Sequence, residues 1–139
     1  MPKKPKRRSE GASRRRGPRD FSETLLDFMT PLLTDVVSVG GGFEMAENAV
    51  RVAVDVWNAA VLEAVGIAPG IVAEARAAVA QIPEEEGTAL QRVDRLFERR
   101  FERFADDHRL VGLWNLQRDA VTGAFRLRAH ERRLPKTRG

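Results

Sequence analysis

Residues 43–65 read FEMAENAVRVAVDVWNAAVLEAV, and we expect the domain to be built around them. The polar side chains of this segment recur at steps of three and four, which places them on one narrow stripe of an α-helix. At about 1.5 Å per residue, the helix would be about 33 Å long, the span of a small domain. Because its other sides are apolar, such a helix must be surrounded by its own chain or by a partner.

The same length would suit a membrane span, but the polar stripe argues against one. Arg51 and Asp55 would lie near the centre of the bilayer, where charged side chains are costly. Their spacing of four fits an exposed ion pair on a helix surface. We therefore predict a helical domain around residues 43–65 that makes no membrane contact.

The composition limits the possible chemistry. The 139 residues include no cysteine, which excludes disulfides, thiol catalysis and cysteine zinc sites. Residues 20–130 suffice for a single domain, which buries about two-thirds of its unfolded surface. No apolar segment follows the basic start, so we predict no signal peptide and a cytoplasmic protein. Arginine, alanine and valine are abundant, which is typical of GC-rich bacterial genomes.

Charge is segregated along the chain, although the net charge is only +4. Residues 1–20 carry nine Lys or Arg against two acids, and residues 126–139 carry six against one. Residues 21–125 carry nine Arg against seventeen acids. Basic ends on an acidic body are typical of chains whose ends bind a polyanion.

Residues 1–19 contain no large apolar side chain after Met1 and include three prolines and two glycines. Such a segment cannot bury enough surface to fold, so we predict a disordered basic tail. A merely solubilising tail would have the same composition, although like-charged blocks are often interaction tails. A second, frayed basic tail is predicted over 131–139.

Helix signals flank the central segment on both sides. Asp20 is predicted as the N-cap of a first helix, in which Pro31 should produce a kink or an end near Met29. A third helix should begin with Pro69 as its first residue, with an apolar face that extends to Ile82.

A fourth helix is predicted over about 88–105. Its inward residues should be Leu90, Val93, Phe97, Phe101 and Phe104, and its outward arginines Arg92, Arg95, Arg99 and Arg103. Because acids lie beside these arginines on the helix surface, we interpret the outward face as solvated rather than as a nucleic-acid contact.

The hydrophobic period changes from 3.6 to two near the C-terminus. Phe125–Ala129 alternates apolar with basic residues, as a half-buried strand does. An apolar segment at 110–116 and turn formers at 119–123 precede it, so we predict a β-hairpin over about 109–130 with a five-residue loop. The alternative is a continuous helix, since several apolar positions also match helical spacing.

No arrangement of residues indicates catalysis, because neither Ser22 nor Ser38 has a recognisable base partner. His108 and His130 would meet at the open end of the hairpin, where a carboxylate could complete a metal site. Two surface histidines at a frayed end would give the same pattern, and we predict no enzyme, metal or cofactor.

The predicted fold is therefore mainly α, with about four helices around residues 43–65, a C-terminal hairpin and a disordered basic tail. We expect a non-enzymatic accessory protein that docks electrostatically on nucleic acid, in particular RNA or a ribonucleoprotein, with little sequence specificity. The predicted contact residues are Lys3, Lys4, Lys6, Arg7, Arg8, Arg14, Arg15, Arg16, Arg126, Arg128, Arg132 and Arg133. The alternative is a protein-interaction or self-association module, such as a homo-oligomer, that uses an apolar helical face.

Overall fold

The computed structural model describes residues 20–81 and 88–134. The elements in chain order are α1 Phe21–Ser38, α2 Phe43–Ala64, α3 Ile71–Ala80, α4 Thr88–Arg103, β1 Leu110–Arg118 and β2 Phe125–Arg132. The mainly α fold with a C-terminal antiparallel hairpin is confirmed. The predicted disordered tail at 1–19 lies outside the described residues, as does the 135–139 part of the predicted C-terminal tail.

Two boundaries differ from those predicted. The second strand continues to Arg132, so the hairpin is longer than the predicted 109–130. α3 begins at Ile71, two residues after Pro69, because Gly70 precedes it with a φ of +85°. In the described parts of the chain, no helix has both the length and the apolar character needed to cross a bilayer.

α2 is the centre of the domain, as its apolar circumference predicted. It packs against α1, α3, α4 and β1, and its Trp57 is fully buried. The Trp57 ring centroid lies 5.2 Å from that of Phe28 and 5.7 Å from that of Phe104, both edge-on. Such aromatic pairs contribute about 0.5–1.5 kcal/mol each beyond the area that they bury. These rings hold α2 against α1 and the end of α4.

α1 continues through Pro31, so the predicted helix end near Met29 is wrong. Proline has no N–H, and the carbonyl of Asp27, four residues earlier, therefore loses its helical partner. Arg99 of α4 replaces that donor, because its Nη2 donates to Asp27 O at 2.8 Å and its Nε donates to Phe28 O at 3.0 Å. Arg99, predicted to face outward, instead bonds the backbone of α1.

The inward face of α4 differs from the prediction at two positions. Phe101, predicted inward, is 48% exposed, whereas Arg100 is only 1% exposed. The Arg100 guanidinium lies 4.4 Å from the Trp57 ring centroid and donates to the carbonyls of Phe104 and Asp107. A buried charge is tolerated only where its donors find acceptors, and the backbone just beyond α4 supplies two of them.

Two helix side chains hold the outer edges of the hairpin. Asn58 of α2 donates to Val111 O at 3.0 Å and accepts from Val111 N at 2.8 Å. Ser22 of α1 accepts from Ala129 N at 2.9 Å and donates to Ala129 O at 3.3 Å. Each edge strand thus finds a partner for backbone groups that an isolated two-stranded sheet leaves open. The hairpin interpretation, rather than the continuous helix, is confirmed.

Candidate nucleic-acid interface

Packing against the helices gives the hairpin an inner and an outer face. Leu116 of β1 and Leu127 of β2 lie opposite each other in the register, and both are buried on the inner face. Four polar residues occupy the alternate positions, and all four are exposed. We call them the outer cluster: Asn115, Gln117, Arg126 and Arg128.

Each amide of the outer cluster lies directly across from an arginine. The strand register pairs Gln117 with Arg126 and Asn115 with Arg128. Directly opposed residues of antiparallel strands have Cβ atoms about 4.5–5.5 Å apart. Positions two apart along one strand are about 6.7 Å apart. Two guanidinium groups and two amides therefore share one small patch of surface.

The structure describes four of the predicted contact residues, Arg126, Arg128, Arg132 and Arg133, and all are exposed. The first three occupy alternate positions of β2, and Arg133 follows its end. The structure therefore brings the predicted C-terminal arginines together on and just beyond one strand. The other eight predicted residues, Lys3 to Arg16, lie outside the described residues.

The fold also brings together the points at which the two basic ends leave the domain. Residues 1–19 join the described domain at Asp20, which caps α1 by accepting from Ser22 N at 2.8 Å. Ser22 in turn bonds Ala129 of β2, 107 residues further along the chain. Since Ala129 lies three residues before Arg132, both basic ends begin beside the same strand.

An ion pair between Asp107 and Arg109 lies at the base of the hairpin. Burial by itself would raise the pKa of Asp107, but hydrogen bonds from Arg109 and the charges of Arg109 and Arg100 hold that pKa below its ordinary value. The pKa of Arg109 is raised by its hydrogen bond to Asp107, against the lowering effect of burial, and further by the charges of Glu131 and Asp20. Arg109 thus interacts electrostatically with Asp20, at the start of the described domain, and with Glu131, near its end.

Some arginines elsewhere in the domain are paired with acids. Arg76 bonds Asp94 at 2.8 Å, and Arg99 bonds the Asp27 carboxylate at 3.0 Å. Within residues 20–81 and 88–134, no arginine of the outer cluster forms an ion pair. The outer cluster therefore keeps its guanidinium groups available to an anion.

The acid nearest in sequence to the outer cluster has its own backbone partners. Asp119, at the hairpin tip, accepts hydrogen bonds from the N–H groups of Thr122 and Val121, and these bonds lower its pKa. The positive charge of Arg126 also lowers that pKa, by a smaller amount than the two hydrogen bonds. Asp119 is therefore held mainly by the turn and not by the outer cluster.

A groove of about 440 Å³ runs between the first turns of α1 and the hairpin. Its α1 wall is formed by Ser22, Glu23 and Leu26. All four residues of the outer cluster line it on the hairpin side, together with Phe125 and Leu127. The groove thus combines apolar, amide, acidic and basic groups in one concave site.

Sequence reasoning missed Asn115 and Gln117 as candidate site residues. The signal was present, because the apolar residues Trp114 and Leu116 alternate with them once residues 110–118 are read as a strand. These amides were missed because only basic residues were considered as contacts.

No metal site or matching protein adds to this geometry. In the described ranges, no three His, Cys, Asp or Glu side chains are grouped so that they could hold a metal ion. His108 and His130, considered as ligands on the sequence, are both exposed. Comparisons with family models, curated proteins and solved structures give no match to this chain. The function must therefore be inferred from the chain's own charges and shape.

Proposed function

We propose that the protein is a non-enzymatic accessory protein that docks electrostatically on nucleic acid, free or within a ribonucleoprotein, in the cytoplasm. The contacts are made by the basic ends of the chain and by the outer cluster. Neutralisation of phosphates by Lys and Arg releases bound counterions, which is the main source of such affinity.

One observation carries this proposal. Because Ser22 contacts Ala129, both basic ends leave the domain beside the strand that bears Arg126 and Arg128. The two basic ends, distant in sequence, therefore begin at one place on an otherwise acidic body. A phosphate backbone held there would meet positive charge from both.

The first prediction concerns the dependence of binding on salt. Arg126→Gln/Arg128→Gln should flatten the slope of log affinity against log salt by about 1.8 for a duplex or about 1.4 for a single strand. Fluorescence anisotropy with a labelled oligonucleotide at several salt concentrations measures this slope. Affinity at physiological salt should be micromolar or weaker, the range of non-specific binding.

The matched control is Arg92→Gln/Arg95→Gln, which removes two exposed arginines of α4. Its slope should stay near that of the parent protein, since the acidic residues Asp35 and Glu98 line one groove with these arginines. Equal flattening in both variants would move the site to α4. Absence of binding by the parent protein at low salt would discard the nucleic-acid proposal.

A second candidate function is self-association through an apolar face, and one observation favours it. Large apolar side chains are exposed where α1 ends and α2 begins, namely Val37, Val39, Phe43, Met45 and Val52. Three of them line a mainly apolar groove between the helices. Light scattering at low and high salt tests this candidate, because apolar dimerisation persists at high salt whereas phosphate binding weakens. A monomer at every concentration and salt would rule it out.

A further inference from the structure

We infer that the groove between α1 and the hairpin receives an unpaired base of a single-stranded nucleic acid. This inference rests on the proposed function and adds the form of nucleic acid and the place where a base lies. It assigns a role to the two amides of the outer cluster, which electrostatic docking leaves unused.

The groove has the size and the lining that a base requires. Its volume of about 440 Å³ lies in the usual range of small-molecule sites. Leu26 and Phe125, both half-buried, give it an apolar wall. Unpaired bases bind proteins by packing on aromatic and other apolar side chains of this kind.

The polar groups of the groove suit the edge of a base. Asn115 and Gln117 each offer an amide donor and an acceptor, and Glu23 offers acceptors only. Amides pair with adenine edges, and a carboxylate accepts from the amino group of cytosine. A base within a duplex already uses its pairing edge and both faces, so only an unpaired base can meet the wall and the amides together.

The arginines and the amides of the outer cluster thus have separate roles. Arg126 and Arg128 hold the phosphates on either side of the base, which sets the affinity and its salt dependence. Asn115 and Gln117 contact the base, which makes the protein prefer a strand that carries bases. RNA and single-stranded DNA share this chemistry, and they differ at the 2′-hydroxyl.

Four probes of equal length separate these contributions when the full chain is titrated at one salt concentration. They are a single-stranded RNA, the DNA of the same sequence, an abasic DNA strand and the corresponding DNA duplex. Both base-bearing single strands should bind about 5- to 100-fold more tightly than the abasic strand, the gain that stacking of one base gives. The duplex should bind more weakly than the single strands, and an RNA:DNA affinity ratio above one would show that the 2′-hydroxyl is also contacted.

Asn115→Ala/Gln117→Ala should reduce the preference for base-bearing over abasic strands, because the hydrogen bonds to the base edge are lost while the apolar wall remains, and it should leave the salt slope unchanged. Gln91→Ala, which removes an exposed amide on α4, is the matched control and should change neither quantity. Circular dichroism confirms that each variant is folded, and binding of the abasic strand confirms that its phosphate contacts are intact.

The outcomes distinguish the inference from the proposed function. Equal affinity for base-bearing and abasic strands would overturn the inference and leave electrostatic docking in place. Tighter binding of the duplex, or an unchanged preference in the amide variant, would also overturn it. Failure to bind any of the four probes at low salt would overturn the proposed function itself.

Discussion

α4 and β2 are the two arginine-rich segments of the described domain, and they use the residue in opposite ways. On α4, Arg99 bonds the backbone of α1 and Arg100 lies buried beside Trp57. On β2, Arg126 and Arg128 project into solvent from a face where no ion pair holds them. At these positions the arginine side chain is structural on α4 and available for binding on β2, although Arg92, Arg95 and Arg103 of α4 are exposed as well.

The difference follows from the period of each segment. A helix distributes successive residues around its axis, so the run of arginines on α4 reaches the core, a neighbouring helix and solvent in turn. A strand places every second residue on the same side, so the alternating arginines of β2 all face one way. Arginine content therefore indicates a binding surface only when it is read together with the secondary structure.

The largest expected effect comes from replacing the buried arginine, Arg100. Arg100→Ala should destabilise the fold by about 3 kcal/mol, because it leaves a cavity beside Trp57 and removes a donor from the carbonyls of Phe104 and Asp107. Urea unfolding followed by tryptophan fluorescence measures the loss. Arg128→Ala, the exposed counterpart, should change stability by less than about 0.5 kcal/mol. Equal losses would mean that the two segments do not differ as described.

A smaller effect tests why Arg99 is structural. Arg99→Ala should cost about 2 kcal/mol, because two carbonyls of α1 lose a charged donor. In a Pro31→Ala background, residue 31 regains its N–H and can bond Asp27 O itself, so the same substitution should cost about half as much. Urea unfolding of the four proteins in the cycle measures this coupling, and Arg95→Ala is the exposed control. Additive losses would show that Arg99 does not compensate for the proline.

The smallest effect concerns acid stability. The pKa of Asp107 lies below its ordinary value of 3.8 in the folded protein, so the ionised carboxylate stabilises the fold at higher pH. That contribution should disappear as the pH falls from about 4 through the folded pKa. Asp107→Asn should therefore lower stability by less than about 1 kcal/mol at pH 7 and by a smaller amount at pH 2. Urea midpoints at both pH values measure this difference, with the exposed neighbour Asp106→Asn as the control. A loss that is equal at both pH values would assign the effect to packing.

The sequence predicted the elements that follow from hydrophobic period alone. The central helix at 43–65 and the hairpin near 109–130 both have regular patterns of burial, and such patterns can be read without a partner. The contacts of Arg99 could not be predicted in this way. Arg99 bonds a carbonyl that has no helical donor because Pro31, on another helix, lacks an N–H. The burial of Arg100 was not predicted, because its acceptors are backbone carbonyls that only the folded chain beyond α4 brings within reach.

The candidate site was predicted less completely than the fold. The arginines of β2 were identified from their charge and their alternation. The groove was not, since its second wall comes from Leu26 and its neighbours on α1, and no local pattern reports that α1 lies beside β2. The sequence expectation of largely non-specific binding considered only the aromatic residues as base contacts, and it passed over the amides of β1.

The bond between Ser22 and Ala129 also bears on how the chain is made. Synthesis runs from the N-terminus at about 5–20 residues per second, so Ala129 is added about 5–20 s after Ser22. During that interval α1 exists without the strand against which it packs, and the inner face that Leu127 will cover stays open to solvent or to a chaperone. The domain can close only when its last strand has left the ribosome, so its final folding step waits for the synthesis of β2.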